Sequence, residues 1–128
     1  MSYRFGPSGL VVVRVRMEGP AGAMLALFAL DTGAERSCVP PSIASAVGVA
    51  VSDRGAMWTA SERVPVRECV LTRFDALGLT RFNFSALVHA LPPELPVGGL
   101  LGLDFLRDTR LTIDFRRQTI QVADTTGP

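Results

Sequence analysis

Residues 27–40 read "LFALDTGAERSCVP", and the fold of the chain turns on how they are understood. Leu27, Phe28, Ala29 and Leu30 form an apolar run that delivers a carboxylate, Asp31, straight into Thr32 and Gly33. An acid at the end of a buried strand is costly unless something shares its charge. One reading is local: the strand ends, turns at Gly33, and Asp31 caps backbone donors in the turn. The other is chemical, and it needs a second group to stand beside the carboxylate. Asp-Thr-Gly alone does not choose between them.

The rest of the chain sets bounds. At 128 residues it is one domain by length, long enough to bury about two-thirds of its unfolded-chain surface. Hydrophobic residues at 48% and charged residues at 20% mark a globular chain rather than a disordered one. Thirteen basic and twelve acidic side chains give a net charge of +1 without a long like-charged run, so nothing points to a nucleic-acid or membrane-surface partner. Every apolar run is broken by Arg, Asp or Glu well short of a membrane span. The opening "MSYRFGPSGL" is too polar and too broken by Gly and Pro for a signal peptide, and a cytoplasmic location is the default expectation. Two cysteines, Cys38 and Cys69, are too few for a disulfide framework; core-packed free thiols are expected. With His89 they show no metal-ligand spacing, and no metal or other cofactor is expected.

Hydrophobic period predicts strands nearly throughout. "GLVVVRVRM" (9–17) alternates Val13, Val15 and Met17 against Arg14 and Arg16, and "EGPAG" turns it. "AMLALFAL" (23–30) is apolar throughout, the pattern of a strand buried on both faces. "RSCV" (36–39) reads as a short strand, and "PPSIASAVG" (40–48) as a short helix with Pro at its start and Gly48 as its stop. Residues 49–91 suggest hairpins turning at "DRG" (53–55), near "ASER" (60–63) and at "LGLT" (77–80). "PPELPVGG" (92–99) is a loop leading into "LLGLDFLRD" (100–108), a strand end with a helical turn. "TRLTIDF" and "QTIQVA" close the chain as a hairpin around Arg116 and Arg117. Many short strands and two scraps of helix predict an all-β fold, a small closed barrel or a sandwich, with no linker or internal repeat.

Some seventy residues after Asp31 the chain reads "GGLLGLDFL", where Leu100 and Leu101 precede Gly102. "LFALDTGAERSCVP" followed at this spacing by "GLLGLDFL" resembles the retropepsin-type aspartic proteases, especially the short single-domain members outside retroviruses. The likeness spans roughly residues 10–123 of a single domain covering 1–128. It implies a small closed β-barrel of the retropepsin type, active as a homodimer. In that family the first motif carries the catalytic Asp, here Asp31. The hydrophobic-hydrophobic-Gly segment, here Leu100, Leu101 and Gly102, crosses beneath it. Larger pepsin-like enzymes carry two such motifs in one chain; this chain holds one Asp-Thr-Gly and no Asp-Ser-Gly. The resemblance therefore implies a site made by Asp31 from each of two copies across a twofold axis. Thr32 matches the position whose hydroxyl bonds across the dimer. Gly33 lets backbone approach the carboxylates. Ala34 replaces the Ser of pepsin-like enzymes, which implies a less extreme acid optimum. Glu35 stands where many retroviral members hold substrate backbone with Asp; a solvated loop acid is its plain alternative.

The chain also departs from the family. Retroviral members often place Arg and Asn after the later Gly, where this chain has Leu103 and Asp104. The ion pair from that Arg to the acid after the first motif is therefore missing, and Asp104 reads as a cap on the turn beginning at Phe105. The substrate-covering hairpin falls on "MWTASERVPV" (57–66), which lacks the usual tip glycine. Its expected tip is near Ser61 and Glu62, with Gly55 as an alternative. Trp58, Thr59, Ala60 and Ser61 are the expected substrate contacts there, Trp58 packing the hairpin base or lining a pocket. The implied activity is endopeptidase cleavage of extended polypeptides. The alternative is a dimeric peptide-binding or scaffold module that keeps the fold without the chemistry.

Overall fold

Val13, Val15 and Met17 point inward and are at most 5% exposed, while Arg14 between them faces solvent. That alternation makes strand β2 (Val12–Gly19) one wall of the core. In the computed structural model, which describes residues 2–4, 9–58 and 61–125, β2 is followed by β3 (Gly22–Leu30), β4 (Cys38–Val39), helix α1 (Pro41–Val47), β5 (Ser52–Trp58), β6 (Arg63–Ala76), β7 (Leu79–Val88), β8 (Gly99–Leu101), helix α2 (Leu103–Leu106), β9 (Thr109–Asp114) and β10 (Thr119–Asp124). A short β1 (Ser2–Arg4) precedes them.

Strands pair in the order β2-β3-β8-β4-β7-β6, and β2 pairs back onto β6, which closes a six-stranded barrel. β5 extends it as the other arm of a hairpin with β6. β1, β10 and β9 form a separate three-stranded sheet, whose Ile120 is fully buried and whose Leu111, Ile113 and Val122 pack on the core. No helix among the described residues is long and apolar enough to cross a membrane.

An aromatic cluster joins the elements that meet under the 31–37 loop. Phe74 of β6 lies edge-on to Phe28 of β3 at 5.9 Å, and 4.6 and 5.4 Å from Phe84 of β7 and Phe105 of α2. Phe28, Phe74 and Phe105 are all fully buried, and tilted or edge-on ring pairs add about 0.5–1.5 kcal/mol each beyond area burial. Helix α1 follows its expectation: Pro sits in the first turn, and Gly48 ends it in the left-handed conformation (φ 77°), its N–H bonding back to Ala44 O at 3.0 Å.

Three expectations need correcting. β3 is not buried on both faces: Phe28 and Ala29 are inside, but Leu25 and Leu27 are 63% and 51% exposed. Only the C-terminal end of β3, where β8 pairs alongside Phe28–Leu30, is covered. "DRG" is not a turn, because β5 runs through it with a register irregularity between Asp53 and Ala56. Gly55 is therefore not a hairpin tip; the β5–β6 pairing continues past it to Trp58 and Arg63. The inward set of β6 also shifts from Cys69 and Leu71 to Phe74 and Ala76 at the level of Asn83 of β7, which takes a positive φ of 50°, while the β6–β7 register runs through unshifted. "LGLT", by contrast, turns as expected: Leu77 and Gly78 at φ 52° and 76° join the Ala76–Leu79 pair, the two-residue turn that matches strand twist.

Candidate active site

β8 inserts between β3 and β4. It runs parallel to β3, with Leu30 opposite Leu101, and antiparallel to β4, with Cys38 opposite Leu100. The segment joining β3 to β4, residues 31–37, must therefore straddle the C-terminal end of β8. This topology brings the two motifs together across seventy residues of sequence.

The contacts are mainly backbone. Asp31 N–H donates to Leu101 O at 2.9 Å, and Leu103 N–H donates to Ala34 O at 2.9 Å. Ala34 N–H closes a turn onto Asp31 O at 3.1 Å, while Gly33 N–H donates to Asp31 Oδ1 at 2.9 Å. Asp31 is half-buried; Thr32, Gly33 and Glu35 are exposed, so the loop presents its face to solvent in the single chain. The local reading of Asp31 as an acceptor for its own turn therefore holds for one oxygen, and the other is not used by the turn. Gly102 is a glycine for a steric reason: a Cβ there would stand 2.7 Å from Arg36 C, 2.8 Å from Ala34 O and 2.9 Å from Arg36 O. The loop rests directly on the backbone of that residue.

Asp104 is not the expected cap but a tie between the two motifs. Helix α2 begins at Leu103 with Gly102 in the N-cap position, so no side chain caps it. Asp104 Oδ1 accepts from Ser37 N–H at 2.9 Å, Ser37 Oγ at 2.7 Å and Phe105 N–H at 2.9 Å. Ser37, fully buried, accepts in turn from Gly102 N–H at 2.9 Å through its hydroxyl. The link between the two motifs that the missing Arg would have supplied is made here one residue further along with reversed charge, Arg36 Nε lying 3.9 Å from Asp104 Oδ2. Arg36 also donates to Glu68 Oε1 on β6 at 2.6 Å and to Ser85 on β7, at 3.0 Å to Oγ and 3.3 Å to the carbonyl.

The structure thus gathers Asp31, Thr32, Gly33, Ala34 and Glu35 with Leu100, Leu101 and Gly102. Ser61 and Glu62 are exposed at the hairpin turn. Thr59, Ala60 and the side chain of Trp58 lie outside the described residues. Sequence reasoning did not single out Arg36, Ser37 or Glu68. A polar "ERS" between two apolar strands was the only local signal for the first two, and nothing local marked Glu68.

The cysteines play no part in this site. Cys38 and Cys69 register on β7 from its two edges, opposite Leu87 and Ala86, so a whole strand separates them. Two strand spacings, about 9.5 Å, exceed the reach of a disulfide. Both are buried and free, and burial raises both thiols, Cys69 to about 11. Cys38 Sγ lies 3.6 Å from His89 O, and His89 itself falls just past the end of β7, exposed.

A family model described as aspartyl protease matches residues 13–105, from β2 through the first residues of α2. The chain belongs to the aspartyl protease family. Among solved structures, a retropepsin-like aspartic protease from Rickettsia conorii superposes with a TM-score of 0.68 at 18% identity, covering 96% of this chain and 91% of that one. The EIAV protease complexed with the inhibitor HBY-793 gives 0.62 at 16% identity, covering 83% and 93%. No curated protein matches. At these identities the neighbours establish the retropepsin-like barrel, and it is the family model that ties the Asp31 and Leu100–Gly102 motifs to one another within a single match.

Proposed function

We propose that this chain is an aspartic endopeptidase whose active site assembles from two copies, Asp31 of each supplying one carboxylate. The observation that carries this reading is the loop itself. A single Asp-Thr-Gly, braced on Leu101 and Gly102, leaves Thr32 and Gly33 exposed and one Asp31 oxygen free of the turn. Half an active site on an exposed, backbone-fixed loop is what a twofold partner completes.

Two carboxylates about 3 Å apart do not both ionise, so the pair holds one shared proton. The ionised partner takes a proton from a bound water, which attacks the peptide carbonyl. The protonated partner donates a hydrogen bond to that carbonyl, and a proton then passes to the leaving amine as the tetrahedral intermediate collapses. The fixed loop contributes pre-organisation: three backbone–backbone hydrogen bonds and one from Gly33 N–H to the Asp31 carboxylate hold residues 31–34 before any substrate arrives. Substrate lies extended, in the manner of an added strand, under the β5–β6 hairpin, with Trp58, Thr59, Ala60 and Ser61 above it and Glu35 beside the catalytic loop. Thr32 bonds to its copy across the twofold axis. No hydroxyl at Ala34 adds a donor to the pair, which favours a less acidic optimum than pepsin's.

The test is cleavage of a mixed peptide library from about pH 3 to pH 8, wild type beside Asp31→Asn, at protein concentrations spanning dimer dissociation. Cuts that follow a bell-shaped profile, vanish in the variant and fall faster than linearly on dilution are expected. A folded, dimeric wild type that cuts nothing at any pH would leave a peptide-binding module instead.

A further inference from the structure

One guanidinium touches three elements around the loop. Arg36 bonds Glu68 of β6 at 2.6 Å and Ser85 of β7 at 3.0 Å, and it lies 3.9 Å from Asp104 of α2, while its own backbone sits over Gly102 after β8. The three charged side chains are 28%, 18% and 12% exposed, so water screens them only in part. Two carboxylates compete for Arg36, and they are not served equally. Glu68 takes the short bond, whereas Asp104 Oδ2 is buried without a hydrogen-bond partner. A planar fork with several donors can move from one acid to the other without leaving the pair.

The two acids belong to different parts of the fold. Glu68 lies on β6, the strand that pairs with β5 as one arm of the hairpin. Asp104 holds Ser37, Ser37 holds Gly102, and Leu103 N–H holds Ala34 O in the catalytic loop. The route from hairpin stem to Asp31 thus runs through hydrogen bonds and ion pairs joined by the Gly102–Leu103 peptide bond, with Arg36 its step from β6 into the loop segment.

We propose that Arg36 is a positioning residue shared between Glu68 and Asp104, coupling the β5–β6 hairpin to the Asp31 loop. This rests on the protease reading, in which that hairpin covers substrate. When the stem shifts, Arg36 Nε closes on Asp104 Oδ2; when the stem returns, Glu68 draws it back. The unpartnered oxygen is the second seat. The coupling acts on substrate capture: the hairpin's resting position, not the acid pair, feels the exchange.

Glu68→Gln tests it, since the amide keeps shape and loses charge. The expected result is a rise in KM of about tenfold with kcat within about threefold of wild type, partly rescued by Glu68→Asp. Amide exchange supplies a readout independent of activity. In Glu68→Gln the N–H groups of Ala34 and Leu103 exchange about tenfold faster, although the substitution lies on another strand. Arg36→Lys, which lacks the fork, gives the same pattern and serves if Glu68→Gln does not fold. Acceleration confined to β6 and β7, or equal losses in kcat and kcat/KM, would overturn the proposal. If wild type itself cleaves nothing, the protease reading fails, and the exchange at Ala34 and Leu103 still decides whether hairpin and loop are coupled.

Discussion

Replacing Ser37 by Ala removes one oxygen atom and with it two of the hydrogen bonds that join the two halves of the site. The hydroxyl donates to Asp104 Oδ1 at 2.7 Å and accepts from Gly102 N–H at 2.9 Å, in a position with no solvent exposure. Without it, Gly102 N–H is left buried with no acceptor, a loss of about 1–3 kcal/mol. Asp104 Oδ1 keeps two donors, Ser37 N–H and Phe105 N–H, so the carboxylate loses only part of its solvation, about 1 kcal/mol. The cavity is too small to add much. The sum is about 2–4 kcal/mol, a fall in Tm on the order of 10 °C for a domain of this size. Urea unfolding at fixed protein concentration measures it, and a double-mutant cycle with Asp104→Asn gives the coupling between the two residues. A change in unfolding free energy below about 1 kcal/mol, with no coupling in the cycle, would falsify the claim that this hydroxyl ties loop to floor.

Gly102→Ala places a methyl group within 2.9 Å of three backbone atoms of Ala34 and Arg36; a loss of about 2–3 kcal/mol or more is expected in thermal melts, together with loss of peptide cleavage, because the loop that must move is the one carrying Asp31. Cys69 makes stability fall at high pH. Its thiol ionises near 9.0 when unfolded and only at about 11 when folded, so its contribution is complete below pH 9, and about 2 kcal/mol is lost as pH rises to 11. Urea midpoints from pH 8 to pH 11 should show that fall, and Cys69→Val should flatten it. Alkylation of the native protein at pH 8 should likewise be far slower than that of the urea-unfolded chain. On β3, Leu25→Thr should change stability by under about 0.5 kcal/mol, whereas Phe28→Ala three residues on should lose about 3–5 kcal/mol; equal losses at the two positions would mean that Leu25 is covered in the assembled protein.

Much of the fold was legible in the chain because the relevant physics is local. Alternation of Val13, Val15 and Met17 against arginines needs only the two-residue period of a strand, and Gly48 ends a helix because few other residues accept its backbone angles. The Asp31 loop and the Leu100–Gly102 segment were legible as a pair of motifs, through likeness to a family rather than through periodicity. The errors share one cause. An apolar run does not say how much of it neighbours will cover, so Leu25 and Leu27 read as buried. A Gly in "DRG" reads equally as a turn or as an irregularity within a strand.

What the sequence determined alone was which residues can form strands, most of the places where the chain turns, and that a carboxylate, Asp31, opens a glycine-containing loop. What only tertiary structure decided was who meets whom. β8 inserting between β3 and β4 puts Gly102 under Ala34 and Arg36, and it sets Ser37 against Asp104. Arg36, Glu68 and Asp104 are separated by more than thirty residues at each step and carry no shared local pattern. Their partnership exists because a closed barrel leaves these charges partly buried at one junction, where each must find its counter-charge among the strands that happen to surround it.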